Sequence, residues 1–488
     1  YTKWLIWGGM ETESLKRKSI IGTLWSFIET FSLKLIQFII NVIMARLLMP
    51  EDYGVITIVY TLIVISQVFI DGGFATTLIQ DKHKSEKDYS TIFTFNVFVS
   101  ILCYLLLFSI APLLSEFYNT DIILPIRVLS LNLILSAFVA IHRIKLTVAV
   151  NFKMLAKVNV ISAAISGILG VWGAYNGYGV WALIFQYLSN GIVSSFLLIV
   201  VLKWKPICFF NPQSFKRLFP FGARLLLANL IDRIYMNLYP IFVGKLFSAS
   251  SLGYYSRAEQ FAALPANTCS DIFLRVTFPV MSSITDESQL VKIYRKYVSL
   301  SSFLIFPVIF LVIVISKPLI LILLTDKWET IILMLQILCV GFVFDHISAI
   351  NRNLLYVKGR ADLALKLEII KKVIATLILF VSIPFGLIGL CIGKAIYGVL
   401  AMILNSWYTR SLINVSLGDQ IKDFSPSLSI VIISALIAYI PVYTLNSSLK
   451  QFIVGCVVFM ICFLCLSSVF KLKEYRYSMD ILKQALSR

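Results

Sequence analysis

Charge is scarce in this 488-residue chain: Asp, Glu, Lys and Arg together make up 14% of it, and 59% is hydrophobic. A soluble protein needs a polar surface that this composition cannot supply, so lipid must be most of its solvent. Histidine is nearly absent, with His83, His142 and His346 far apart in the sequence. No zinc or catalytic constellation can be assembled from sequence neighbours around them. The eight cysteines (Cys103, Cys208, Cys269, Cys339, Cys391, Cys456, Cys462, Cys465) lie mostly inside apolar runs. They are expected to be small buried hydrophobes without a metal or disulfide role. Long loops are missing too, which leaves no room for a soluble catalytic domain. A cleavable leader is not evident either, because Trp4–Trp7 is too short for its apolar core. Met10 is the expected start, followed by a polar, basic lead from Glu11 to Lys18.

What the chain has in abundance is uncharged runs such as Val55–Ile70, Phe303–Ser316 and Phe452–Phe470. Each approaches the length a helix needs to cross about 30 Å of hydrocarbon, whereas barrel strands would be shorter and alternating. The fold class is therefore an all-α integral membrane protein of about fourteen transmembrane helices. The spans are predicted at 20–46, 54–79, 90–114, 122–146, 157–175, 179–202, 218–243, 252–281, 293–316, 328–351, 362–383, 386–408, 427–445 and 450–470.

Loop charge orients them. Lys and Arg cluster in every second loop, from Lys16-Arg17-Lys18 through Lys82-Lys84-Lys87 to Lys471, Lys473 and Arg476. The alternate loops hold only Arg46, Lys245, Lys317, Lys327 and Lys450. Since the basic side is the cytoplasmic one, both termini are predicted cytoplasmic. The same bias accounts for most of the +18 net charge, so nucleic-acid binding need not be invoked.

An internal repeat is visible as well. Lys16-Arg17 with Gly22 is echoed by Lys216-Arg217 with Gly222, and Arg46-Leu47 with Gly54 by Lys245-Leu246 with Gly253, about 200 residues further on. Tyr178-Gly179-Val180 similarly matches Ile388-Gly389-Leu390. Six spans separate the copies, so the repeats are parallel, as in transporters built from two halves. The predicted organisation is a cytoplasmic segment 1–19, an N-lobe of six spans 20–202, a cytoplasmic linker 203–217, a C-lobe of six spans 218–412, an accessory pair 413–470 and a basic cytoplasmic tail 471–488.

Charges inside spans are costly, by about 2.5 to 3.5 kcal/mol on insertion scales, and so tend to face a bundle interior or a water-filled cavity. In the first span Thr23, Ser26, Thr30, Lys34, Gln37 and Asn41 fall on one helical face. That stripe reads either as a water-lined path or as a helix contact with Lys34 paired to Glu29. The seventh span carries Arg224, Asp232 and Arg233, and the eighth Arg257, Glu259, Asp271 and Arg275 with Pro265 as an expected kink. Asp271 with Arg275, and Glu368 with Lys372, stand four apart and can neutralise each other. Arg127 lies near a span end, where snorkelling is expected. Lys394 lies deep, with no acid within a turn of its own helix. Lys34, Arg224, Arg257, Arg275 and Lys394 are the candidate substrate-path cations, Arg in particular presenting a fork suited to phosphate.

Arg46-Leu47-Leu48-Met49-Pro50-Glu51-Asp52-Tyr53-Gly54, then Asp71-Gly72-Gly73-Phe74 with Leu78-Ile79-Gln80, resembles the opening of Wzx-type polysaccharide flippases (O-antigen, colanic acid, teichuronic acid) of the MOP exporter superfamily. Leu252-Gly253-Tyr254-Tyr255-Ser256-Arg257-Ala258 and Phe278-Pro279-Val280-Met281-Ser282 are similar to that family's middle signature, and Pro384-Phe385-Gly386-Leu387-Ile388-Gly389 to its later one. The resemblance spans nearly the whole chain. It implies two lobes around a V-shaped cavity, alternating access, and movement of an undecaprenyl-diphosphate-linked oligosaccharide from the cytoplasmic to the periplasmic leaflet of the bacterial inner membrane. It implies further a cationic lumen, no cofactor, and proton or sodium antiport, for which Asp71, Asp232 and Asp345 are candidate ion-coupling acids. Membrane lipids and a polysaccharide polymerase are the expected partners. Alternatives within and outside the superfamily are export of lipid II or a small molecule, and a membrane glycan polymerase; the last would need a sizeable periplasmic loop.

Overall fold

The computed structural model describes residues 33–71, 73–81 and 84–486, without the side chains of 269, 271, 272, 274–276 and 481–486. The expectations about Met10, Lys16–Lys18, Glu29 and the first half of the polar stripe fall outside the described residues.

Among the described residues every element is helical. Helix α1 covers 33–47 of the first predicted span. The first compact unit, which ends at Gly253, continues with α2 (Pro50–Asp71), α3 (Phe74–Gln80), α4 (Glu86–Tyr118), α5 (Ile123–Leu129), α6 (Leu131–Val148), α7 (Phe152–Tyr175), α8 (Val180–Leu202), α9 (Pro212–Met236) and α10 (Leu238–Leu246). Helix α11 (Ala249–Ser282) carries the chain into the second unit and continues past Pro265. The second unit comprises α12 (Glu287–Leu324), α13 (Ile331–Phe342), α14 (Asp345–Val357), α15 (Ala361–Ser382), α16 (Gly386–Ser406), α17 (Thr409–Ile413), α18 (Leu417–Thr444), α19 (Ser448–Val469) and α20 (Lys473–Leu486). Among the described residues ten helical segments are long and apolar enough to cross a membrane. The chain is a multi-pass membrane protein.

Helices occupy each predicted span from the second to the fourteenth, but they reach further at their polar ends. Helix α4 starts at Glu86 because Ser85 and Asp88 form a reciprocal capping box, and α18 starts at Leu417 through the same device at Ser416 and Asp419. In the first unit α7 packs along α8 through small residues. A Cβ on Gly170 would lie 2.8 Å from Gln186 Cβ, and one on Gly173 3.2 Å from Ala182 Cα. Close backbone approach replaces the hydrophobic drive that is absent between helices in lipid. Gly179, before α8, and Gly386, which opens α16, both have a positive φ.

The tightest crossing joins the start of α2 to the first turn of α11. A Cβ on Gly54 would stand 1.7 Å from the Ala249 carbonyl oxygen, and one on Gly253 1.8 Å from the Pro50 carbonyl oxygen. The offset of the sequence repeat relates Pro50 to Ala249 and Gly54 to Gly253, so the contact is reciprocal.

The second unit is pinned by a buried polar knot. The Tyr294 hydroxyl on α12 donates to Asn351 Oδ1 on α14. Asn351 Nδ2 donates to Ser406 Oγ on α16 at 2.9 Å and to Gln420 Oε1 on α18 at 3.1 Å, and Gln420 Nε2 to Thr409 Oγ1 on α17 at 2.9 Å. Bonds of this kind contribute only about 0.6 kcal/mol each between membrane helices. Register follows instead from the cost of stranding a buried polar atom, about 1–3 kcal/mol.

Candidate functional site

The polar groups of the second unit gather around α16. Helix α13 crosses α16 at glycines: a Cβ on Gly398 would lie 2.0 Å from the Gly341 carbonyl oxygen, and one on Gly341 3.4 Å from that of Lys394. This places Lys394 beside Phe342 of α13, with its ammonium 5.9 Å from that ring's centroid. The ammonium pairs with Glu259 of α11 and donates to the Tyr255 hydroxyl at 3.1 Å. Tyr255 is fully buried, whereas the side chains of Lys394 and Glu259 keep 21% and 30% of their surface. Arg257, two residues from both acid and tyrosine and so on a different face of α11, is 8% exposed and donates to Gln260 Oε1.

A second ionic group lies on α14 and α15. Glu368 accepts from Lys371 at 2.6 Å and from Arg352 at 3.4 Å. Asp345, at the first turn of α14, faces the positive charges of Arg352, Lys371 and Lys394. Cations and acids thus alternate, which offsets the desolvation that an isolated charge would suffer. An arrangement of this kind can bind an anion by exchanging one carboxylate for it, since Arg257 and Arg352 keep their charge in any surroundings.

The first unit holds the remaining candidates. Lys34 on α1 and Asp232 on α9 are half-buried, and Arg224 on α9 is exposed. Asp71, the last residue of α2, accepts from Gln67 Nε2 at 2.7 Å, and Gln67 Oε1 accepts from Ser136 at 2.9 Å. At the polar end of this unit Arg217 bridges Asp81 at 2.8 Å and Asp88 at 2.7 Å, tying α9 to α3 and α4. The bond to Asp88 holds the Arg217 guanidinium above its usual range. Lys145 and Trp204 both donate to Glu86 nearby.

Several expectations shift. Lys394 has its acid on another helix, 135 residues away in sequence, where no local pattern reveals it. Glu368 pairs with Lys371 and Arg352: at spacing three Lys371 turns inward, and α14 extends far enough to carry Arg352, which lies beyond the predicted span 328–351. The i,i+3 spacing of Glu368 and Lys371 was the available signal. Arg127 stacks over the Phe108 ring at 4.2 Å in addition to lying near a helix end. Of the described cysteines only Cys339 and Cys391 are buried; the others keep some exposure, and Cys462 and Cys465, spaced as C-x-x-C on α19, are both free thiols. The Asp271 and Arg275 side chains lie outside the described residues. Among the described residues no three metal-ligating side chains converge.

Comparison with known proteins is decisive on kinship. The family described as "Polysaccharide biosynthesis protein" matches residues 43–333, more than half of the chain. The chain belongs to this family. Relatives run through most of its length: the teichuronic acid biosynthesis protein TuaB of Bacillus subtilis is 23% identical over 87% of this chain and 89% of its own. The lipopolysaccharide biosynthesis protein WzxC of Escherichia coli is 24% identical over 90% and 89%. The succinoglycan biosynthesis transport protein ExoT of Rhizobium meliloti is 23% identical over 62% of each chain. Among solved structures, the lipid II flippase MurJ in an inward closed conformation superposes with a TM-score of 0.76, covering 94% of this chain and 100% of that one at 17% identity. An inward-facing multidrug resistance MATE family transporter of the MOP superfamily gives 0.60, covering 78% and 94% at 15% identity. The chain therefore shares the fold of these two transporters.

Proposed function

We propose that the chain is a polysaccharide flippase, moving undecaprenyl-diphosphate-linked oligosaccharide repeat units from the cytoplasmic to the periplasmic leaflet of the inner membrane by alternating access, with no catalytic step. The observation that carries this reading is the family match over residues 43–333, joined to relatives named for teichuronic acid, lipopolysaccharide and succinoglycan biosynthesis. The MurJ likeness keeps lipid II as the second reading, on fold alone. Both termini are cytoplasmic in this reading, and the repeat divides the chain into an N-lobe 20–202, a linker 203–217, a C-lobe 218–412, an accessory pair 413–470 and a tail 471–488.

Lys34, Arg224, Arg257, Arg275 and Lys394 supply a cation-lined path, and Asp71, Asp232 and Asp345 are the acids available for proton or sodium coupling. A diphosphate leaving the headgroup layer loses hydration, and fixed cations in a wet cavity offset that loss without holding the substrate tightly. At Lys394 the phosphate competes with Glu259, so release is built into the pair. A polysaccharide polymerase receives the delivered units on the far side.

Loss of the gene is expected to leave lipid-linked repeat units in the cytoplasmic leaflet, with their synthesis intact. Leaflet-selective labelling of cells lacking redundant flippases measures this. Units that reach the periplasm but stay unpolymerised would support a polymerase instead.

A further inference from the structure

We propose that the cytoplasmic-side cavity at the C-terminal end of the chain is a binding site for the phosphate headgroup of an anionic membrane phospholipid, retained by the protein and not transported. The cavity, of about 830 Å³, lies within the second unit among α12, the start of α18, and the turn from α19 into α20. Arg295, Lys296, Lys422, Lys471 and Lys473 line it, against two acids, Asp423 and Glu474. Both acids are already engaged. Asp423 takes a two-pronged bond from Arg295 at 2.9 and 2.6 Å, and Glu474 accepts from Ser299. Among the described residues Lys422, Lys471 and Lys473 form no ion pair and are exposed, so five basic groups outnumber two acids around the cavity.

Its floor is built, and is more than the start of a loose tail. Helix α19 closes on Lys471, whose φ of 51° bends the chain back, with Lys471 N donating to Ser468 O and Leu472 N to Ser467 O, each at 3.1 Å. The bend sends α20 against α12, where the Lys296 ammonium sits 3.7 Å above the Tyr477 ring. Phe470, Pro426 and Leu300 add an apolar side to the same cavity. A charged headgroup joined to acyl chains fits that combination, and a freely diffusing anion has no use for the apolar side. The general excess of Lys and Arg on the cytoplasmic side accounts for the sign of these charges. It does not account for a cavity in which one acid is tied to Arg295 and three lysines stay outside any ion pair. Basic pockets between membrane helices on this side suit anionic headgroups.

The inference does not depend on the transported substrate, and its readout is lipid retention. Purified, delipidated protein is titrated in detergent with phosphatidylglycerol, cardiolipin or phosphatidylcholine and followed by native mass spectrometry. Wild type is expected to hold an anionic lipid at least tenfold more tightly than phosphatidylcholine. The combined Lys422→Gln, Lys471→Gln and Lys473→Gln variant should lose that preference, and the corresponding Arg variant should keep it. Millimolar inorganic phosphate should leave the bound lipid in place. Equal retention by the Gln variant, equal binding of phosphatidylcholine, or full displacement by phosphate would each overturn the proposal.

Discussion

Alanine at Gly253 is expected to lower the thermal midpoint of the purified protein by several degrees and to abolish export. The added Cβ would lie 1.8 Å from a main-chain carbonyl of α2, and no flexible side chain is there to give way. The start of α2 and the first turn of α11 must separate, and overpacking of this kind costs about 1–3 kcal/mol, at times more. Gly54→Ala should behave alike, since its Cβ would meet Ala249 O at 1.7 Å. Both substitutions wedge the same crossing, so the double variant should be little worse than either single one, a departure from additivity. Gly418→Ala is the control, with an ordinary 3.6 Å contact to Ser416 Oγ. Additive losses, or export as good as the control's, would show that the helices have slack at this point.

The second large effect belongs to the Lys394–Glu259 pair. Glu259→Gln takes from the Lys394 ammonium its acid on α11, and breaking a fully buried pair costs about 3–5 kcal/mol. Both side chains retain some exposure, so about 1–3 kcal/mol is the appropriate expectation. Adding Lys394→Gln should restore much of that stability, since the pair is removed as a whole and Asp345 keeps Arg352 and Lys371. Export should not return with it, because the cation proposed to meet the diphosphate is gone, while Lys394→Arg should retain part. Recovery of full export in the double variant would reduce the pair to a helix contact and remove Lys394 from the path. Thermal unfolding and export measured on the same four proteins separate the outcomes.

How much of this could be read from residues alone follows from the range of the interactions. Uncharged runs mark the helices because lipid demands them, and that signal is local. Helix ends were set short wherever polar residues continue the helix beyond the hydrocarbon: α18 begins ten residues before the predicted 427, although Ser416-x-x-Asp419 spells a capping box. The repeat marked Gly54 and Gly253 as equivalent, but not as mutual neighbours, since a sequence match carries no distance. In the candidate site Lys394 stood out by its depth. Its partner Glu259, and the Arg352–Glu368–Lys371 group, depend on how α11, α14, α15 and α16 pack, which no periodicity encodes. Lys371 was hidden further by its neighbour Lys372, because two adjacent lysines leave the inward-facing one undetermined until the helix phase is known.

The most direct measurement is transbilayer movement by the purified chain itself. Protein reconstituted into liposomes with a labelled undecaprenyl-diphosphate oligosaccharide confined to one leaflet is exposed to an impermeant sugar-modifying reagent on the other side. Transfer well above that of protein-free vesicles, with the oligosaccharide recovered unchanged in length and still diphosphate-linked, is the predicted result. Transfer no faster than in protein-free vesicles, or oligosaccharide that has been lengthened or cleaved, would contradict a flippase.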